Sequence, residues 1–457
     1  MEHANPLGEE RIVKLLARFS IPAIVGMMVN ALYNIVDRIF IGNSDYLGTN
    51  GLAAATVCFP IMIIVLAVGL LFGIGGATLF SIKLGEGKKE EAERVLGNAF
   101  VLLVLGGIVV SILGLAFMRK LLIYFGASDA TLPYAEEYMS VIFFGSVFQV
   151  VSIGLNHFIR ADGSPKIAML TMFFGAGLNT VLDPLFIYVF RMGMAGAALA
   201  TILSQMASAS WVTLYFLGSK CKNRLRVRNM HLKLKILYTI VILGMPNFLL
   251  QVANSFLNIT LNKTIYTYGG NIAVSGMGVV NSIQTLLLMP IIGLNQGVQP
   301  IVSYNFGAKK YDRVKSAAKS AIFAATTVVM IGFVITRLFP VQLVSMFNRD
   351  EELLAFGKHA VKAWFMLLPV VGFQIIGSSF FQAIGRAKSA MFLTLTRQVI
   401  LLLPAIIVFA RLFGLKGILY AAPFADFFSF VLTFIWFGFG IRSLTKLQNQ
   451  AQNIHLK

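Results

Sequence analysis

Cysteine is nearly missing from this sequence: Cys58 and Cys221 are its only two, one in an apolar run and one in a basic stretch. That excludes a disulfide framework and a cysteine-based metal site. Histidine is as scarce, with five scattered residues, and no H-E-x-x-H pattern occurs, so an intramembrane metalloenzyme has no visible ligands. The nearest approach to a phosphate loop, GEGKKE from Gly85, lacks the G-x-x-x-x-G-K-[ST] spacing, which argues against ATP hydrolysis. The chain reads as a non-enzyme, without a cofactor. Charge is short too: 12% of the 457 residues are charged against 57% hydrophobic, and mean hydropathy is +0.80. Soluble domains carry about twice that charged share. Gly51–Ile82 and Thr264–Ala308 contain no charge at all, and each exceeds the roughly 20 residues a spanning helix needs. The expected class is an all-α integral membrane protein. No apolar core precedes a cleavage site near Glu2, Glu9, Glu10 and Arg11, so no removable signal peptide is expected.

What charge there is leans one way, 38 Lys and Arg against 19 Asp and Glu, for a net charge of +19. In a soluble chain that excess would raise nucleic acid as a partner; here the bases sit in short loops between apolar spans, and no nucleic acid is expected. Apolar runs predict twelve transmembrane helices near 15–42, 51–83, 94–117, 132–160, 165–190, 195–218, 236–266, 273–303, 314–336, 355–384, 387–411 and 415–441. Lys83, Lys88, Lys89 and Arg94, the linker Ser219–Lys235, and Lys309, Lys310, Arg313 and Lys315 fall on one side of that map. The opposite loops Asn43–Asn50 and Tyr268–Asn271 hold no Lys or Arg, so the positive-inside rule puts both termini in the cytoplasm of a cell-membrane protein. The linker, SKCKNRLRVRNMHLKLK, reads as a cytoplasmic tether or as a contact for anionic lipid headgroups. Arg11–Phe19 reads as an interfacial helix leading into the first span.

The two halves resemble each other. SIPAIVGMMVNALYNI from Ser20 pairs with GMPNFLLQVANSFLNI from Gly244, Ser81 and Gly85 pair with Ser303 and Gly307, and Gly163 and Lys166 pair with Gly385 and Lys388. Because the repeat contains an even number of helices, its halves share one orientation, as in a two-lobed transporter with its path between the lobes. The division expected is 1–218 for an N-lobe, 219–235 for the basic linker and 236–457 for a C-lobe.

Acids inside the membrane mark functional candidates. Asp183 lies in the apolar run GLNTVLDPLFIYVFR with Asn179 one helical turn earlier, and Pro184, which has no N–H, leaves the carbonyl of Thr180 without its usual donor. Carboxylate, amide and loose carbonyl suit a proton or a hard cation; the competing reading is a lone Asp hydrogen-bonded for packing. Asn30, Asn34 and Asp37 share a face of the first helix, and Arg38 either snorkels to the outer interface or pairs with Asp37. At the α-helical rise Asp37 lies about 30 Å and Asp183 about 25 Å along their helices from the cytoplasmic side, and Thr201, descending from outside, falls at a similar level. Asp37, Asn179, Asp183 and Thr201 are therefore expected to meet in the N-lobe. Both acids align with apolar residues, Leu261 and Ala405, in the C-lobe, where Gln251, Asn254, Asn258, Asn281 and Gln284 form amide stripes that either contact substrate or glue helices together. Asp426 is the one deep acid there, a weaker candidate for a cation contact.

P-x7-N-x2-Y-N-x2-D from Pro22 to Asp37, LNTVLDPLFI from Leu178, GMAGAALAT from Gly193 and the repeated halves resemble the multidrug and toxic compound extrusion (MATE) family over nearly the whole chain. The resemblance implies twelve helices in two six-helix bundles forming a V, and export of lipophilic organic cations driven by inward flow of Na⁺ or H⁺; a functional monomer is expected beside it. It assigns the N-lobe cation site to Asp37, Asn179, Asp183 and Thr201, and Asn30, Asn34 and the C-lobe amides remain cavity candidates. One branch carries a Glu in the seventh helix; this chain has only amides there and resembles the branch that couples through the N-lobe. The alternative function is a lipid-linked precursor flippase, which would favour intramembrane Arg and Lys over acids.

Overall fold

A computed structural model describes residues 6–45, 47–218, 221–347 and 350–455. Both extreme termini and the first two linker residues, Ser219 and Lys220, lie outside that set. The described residues are almost entirely helical. Among the described residues nine helices are long and apolar enough to cross a membrane, or ten if Glu351–Trp364 and Leu368–Ala383 form one span, bent by 49°. Large apolar side chains such as Ile112, Phe323 and Phe434 stand exposed on the outer faces, as lipid contact requires. This is an all-α membrane protein.

Two helical stretches are far longer than one crossing needs. Leu234–Gly307 runs for 74 residues and Leu403–His455 for 53, and each is interrupted by a glycine in a backbone region closed to side chains: Gly270 (φ 63°, ψ −161°) and Gly414 (φ 62°, ψ −146°). Other departures from regular helix also have visible causes. The helix expected at 355–384 is two pieces, since Pro369 at the start of Leu368–Ala383 brings no N–H to bond the preceding turn. After Pro184 the helix Pro165–Pro184 widens into a π-helix, Leu185–Val189, and a second π-helix, Thr396–Leu402, follows Ala387–Leu395. Arg11–Phe19 is continuous with the first span, because Ile12–Gly42 forms without a break.

The repeat recurs in the turns. Gly48 and Gly270, Gly87 and Lys309, and Gly163 and Gly385 are pairs at the spacing read from sequence, and all six have positive φ (48° and 63°, 76° and 58°, 93° and 80°). Lys88 N donates to Lys83 O and Lys310 N to Asn305 O, the same bond in each half.

Contacts divide the chain into two compact units, Met1–Ile24 with Ala253–Lys457, and Val25–Val252. The chain passes from one to the other inside the helix Ile12–Gly42 and again inside Leu234–Gly307. The second unit has a core around Phe80, Leu103, Phe158 and Phe216. Its helix Leu132–Ala161 is the most enclosed, and small residues let neighbours approach it: a Cβ on Gly73 would lie 2.6 Å from the Cα of Gly154. The linker packs onto the same unit. Asp162 accepts from Tyr215 Oη (2.7 Å), Asn223 Nδ2 (2.6 Å) and Lys222 N (3.1 Å), and Asn98 bonds Asn229 O, His231 O and Lys233 N. Burial pushes the Asp162 carboxyl above its ordinary range and these donors oppose the shift. The basic linker is thus anchored through its backbone, Asn223 and Asn229, while Arg224, Arg226 and Arg228 are exposed, Arg226 also pairing with Glu93 at 3.7 Å.

Gly270→Ala isolates the cost of the helix break. Nothing lies within 4 Å of an added Cβ there, so only the backbone conformation is strained. The expected loss is about 1–3 kcal/mol, read as a lower Tm of the purified protein; an unchanged Tm refutes it.

Candidate functional site

All four residues expected to hold a cation lie in the Val25–Val252 unit. Asn179 and Asp183 are one turn apart near the end of Pro165–Pro184, so their side chains project together, and Asn179 Nδ2 donates to Asp183 Oδ1 at 3.2 Å. Asp183 is fully buried, with 0% exposure. Beyond Pro184, Leu185 N bonds Leu182 O rather than the Thr180 carbonyl that the proline leaves without a donor. Asp37 comes from the helix Ile12–Gly42 and lies within electrostatic reach of Asp183.

Three enclosed oxygens, Asp37 Oδ1, Asn179 Oδ1 and Asp183 Oδ2, have no hydrogen-bond partner in the protein. Buried polar atoms are ordinarily satisfied, and a buried carboxylate without a countercharge is costly. Among the described residues neither acid forms an ion pair. Arg38 makes no ion pair with Asp37, although its charge reaches that carboxyl; its guanidinium lies 5.0 Å from the centre of the Phe59 ring. Nor do three or more His, Cys, Asp or Glu side chains gather among the described residues in a way that could hold a metal ion. The donor set is two carboxylates and an amide oxygen, all hard ligands, which fits a proton or a small hard cation.

The remaining candidates bond to other partners where a bond is seen. Thr201 is buried, but its hydroxyl donates to Ala197 O of its own helix at 3.1 Å, and no hydrogen bond joins it to the acids. Asn34 Nδ2 donates to Asn30 O (2.7 Å) and Oδ1 (3.1 Å), so that pair is satisfied on one helix face. In the other unit Gln284 Oε1 accepts from Trp364 Nε1 at 2.9 Å and Gln398 Nε2 bonds Asn254 Oδ1, which ties two amides of the stripe to neighbouring helices. Gln251, Asn258 and Asn281 are half-buried.

The MatE family profile matches the chain twice, over residues 22–185 and 246–407. The chain belongs to the MatE family. That family is one of transporters, not enzymes. Multidrug export protein MepA of Staphylococcus aureus (strain MSSA476) is 26% identical over 415 residues, 91% of each chain. An outward-facing multidrug resistance MATE transporter of the MOP superfamily superposes with a TM-score of 0.91 at 25% identity, covering 98% of this chain and 99% of that one. A MOP superfamily transporter from Pyrococcus furiosus superposes with a TM-score of 0.90 at 27% identity, covering 96% and 98%.

Two features of this MatE transporter escaped the sequence reading. Tyr33 and Tyr138 lie within electrostatic reach of both acids; Tyr33 stands one turn before Asp37, a spacing that signals a shared face, whereas Tyr138 comes from another helix and gives no such signal. Asp426, read as a weak cation contact, is instead bound by Arg397, whose Nε donates to Asp426 Oδ1 at 2.7 Å. A lone Arg in the apolar run LTLTRQVILLLP was its signal.

Asp183→Asn keeps the side-chain shape and removes a buried charge. In cation-free buffer the variant is expected to melt at or above the parent's Tm, because no protein ion pair is lost. The parent gains stability by mass action as Na⁺ or protons are added, and the variant loses that gain. A variant with the parent's full cation response removes Asp183 from the site.

Proposed function

We propose that this chain is a secondary active multidrug exporter that moves lipophilic organic cations out of the cell against inward Na⁺ or H⁺, with the coupling ion held by Asp37, Asn179 and Asp183 and with Thr201 beside them. The observation that carries this reading is the enclosed set of carboxylate and amide oxygens with no protein partner and no Lys or Arg paired to either acid. A site with that debt gains most from a cation that arrives from outside. The export of drugs named for the Staphylococcus aureus relative agrees with it.

The same reading carries the rest of the architecture: twelve spans, with Gly270 and Gly414 each ending one crossing and starting the next; an N-lobe over 1–218, the linker 219–235 and a C-lobe over 236–457; both termini in the cytoplasm; and a functional monomer with anionic lipid against the exposed Arg224, Arg226 and Arg228. Asn30, Asn34, Gln251, Asn254, Asn258, Asn281 and Gln284 remain candidates for substrate contact. Lipophilic cations are stabilised by aromatic faces and thioethers, and the chain supplies 39 Phe and 19 Met. Since ion and substrate are both cations, occupation of the acids weakens substrate binding, and by reciprocity substrate weakens ion binding.

The deciding experiment is ethidium efflux from proteoliposomes with Na⁺ and pH gradients imposed separately. One gradient is expected to drive efflux in the parent, and Asp37→Asn and Asp183→Asn each to abolish it while still inserting. Normal gradient-driven efflux by either variant refutes its assignment, and no efflux by the active parent under either gradient turns the reading toward a lipid-linked precursor flippase. The topology has its own check: a cysteine at Arg226 is expected to stay unlabelled by an impermeant maleimide added to intact cells, and strong labelling reverses the orientation.

A further inference from the structure

Among the described residues of the unit Met1–Ile24 with Ala253–Lys457 one acid, Asp426, is deeply buried, and unlike Asp183 it has a basic partner. Asp426 is 3% exposed, and Arg397 covers it: Nε donates to Oδ1 at 2.7 Å, and Nη1 donates to Gln398 Oε1 at 3.0 Å. Gln398 in turn bonds Asn254 Oδ1 from the helix Leu234–Gly307. Three elements are joined through this chain, and Arg397 is the only charged group among the described residues within ion-pair distance of Asp426. One and two turns further along its helix stand Ser429 and Thr433; Ser429 Oγ accepts from Gln374 Nε2, while Gln374 Oε1 and Thr433 Oγ1 are enclosed without a partner. Within two turns of this helix there are therefore a carboxylate and spare enclosed oxygens. The carboxylate has in addition its own cation.

We propose that Arg397 is a tethered counter-ion, a specificity-determining residue that occupies Asp426 and so keeps the mobile coupling cation out of this unit, restricting ion binding to the acids of the other one. The inference rests on the cation-coupled reading above. The physical basis is competition for one carboxylate. A guanidinium already held beside Asp426 is present at an effective concentration far above any dissolved monovalent ion, and it loses no translational freedom on binding. Arg suits the role because it stays charged at every physiological pH and its planar donors serve the carboxylate and the neighbouring amide together. Asp183 has an amide where Asp426 has a guanidinium, which leaves its charge for an ion from solution.

The test is made in the Asp37→Asn/Asp183→Asn background, so that the other unit contributes no cation response. Tm and the number of ²²Na⁺ ions bound per chain are measured across Na⁺ concentration and pH for this parent, for Arg397→Gln, and for Arg397→Gln with Asp426→Asn. The parent is expected to be insensitive to both. Arg397→Gln is expected to gain a Tm that climbs with added Na⁺ or with acid, together with one bound ion per chain if the ion is Na⁺, and the added Asp426→Asn is expected to abolish the gain. An Arg397→Gln variant that folds without any new cation response overturns the proposal. So does one that folds under no condition while Arg397→Gln/Asp426→Asn folds under all, since Asp426 then accepts no mobile cation and the ion pair is structural only. A cation response already present in the parent strikes instead at the assignment of Asp37 and Asp183, and the proposal is then judged on whether Arg397→Gln adds a further response.

Discussion

A carboxylate sealed from water without a protein countercharge is the constraint on which this molecule turns. Taking a charge from water into the interior costs several kcal/mol even after relaxation. Proteins usually offset that cost locally, and this chain does so at Asp426 with Arg397, at Glu93 with Arg226, and at Asp162 with three donors. Asp183 has only an amide, and one of its oxygens has no partner. The fold keeps it there because its helix is fastened on both sides: Asn156 Nδ2 bonds Thr171 Oγ1 at 2.8 Å near the start, and the π-helix after Pro184 absorbs the proline at the end.

The turns show how such a site comes to exist in one half only. Corresponding turns in the two halves have the same backbone shape even where the residue differs, as at Gly87 and Lys309, so the helical frame has been kept while side chains diverged. On that common frame one half carries the buried Asp183 before a π-helix, without a basic partner, and the other carries Arg397 within a π-helix and Asp426 on the following helix. Local widening of the helix redirects side chains by a fraction of a turn, which is how small backbone changes give two chemistries to one scaffold.

Helical class, membrane residence, the repeat and the pairing of Asn179 with Asp183 were legible in the sequence, because each depends on spacing within one helix or on composition over a window. Pro184 likewise announced a local fault, since the absence of an N–H is a property of the residue. The break at Trp364–Leu368 escaped a reading by apolar runs alone, although Glu351–Trp364, with two Glu and two Lys, gives way to the uncharged Leu368–Ala383 and Pro369 marks the change.

Charge scarcity and the positions of the buried acids were determined by the sequence itself; which acids are compensated was decided only by tertiary structure. Arg397 and Asp426 are 29 residues apart and on different elements, and Arg38, adjacent to Asp37, turns to Phe59 instead. A side chain's partner depends on which helix faces it across the interior, and no periodicity within a single helix contains that information.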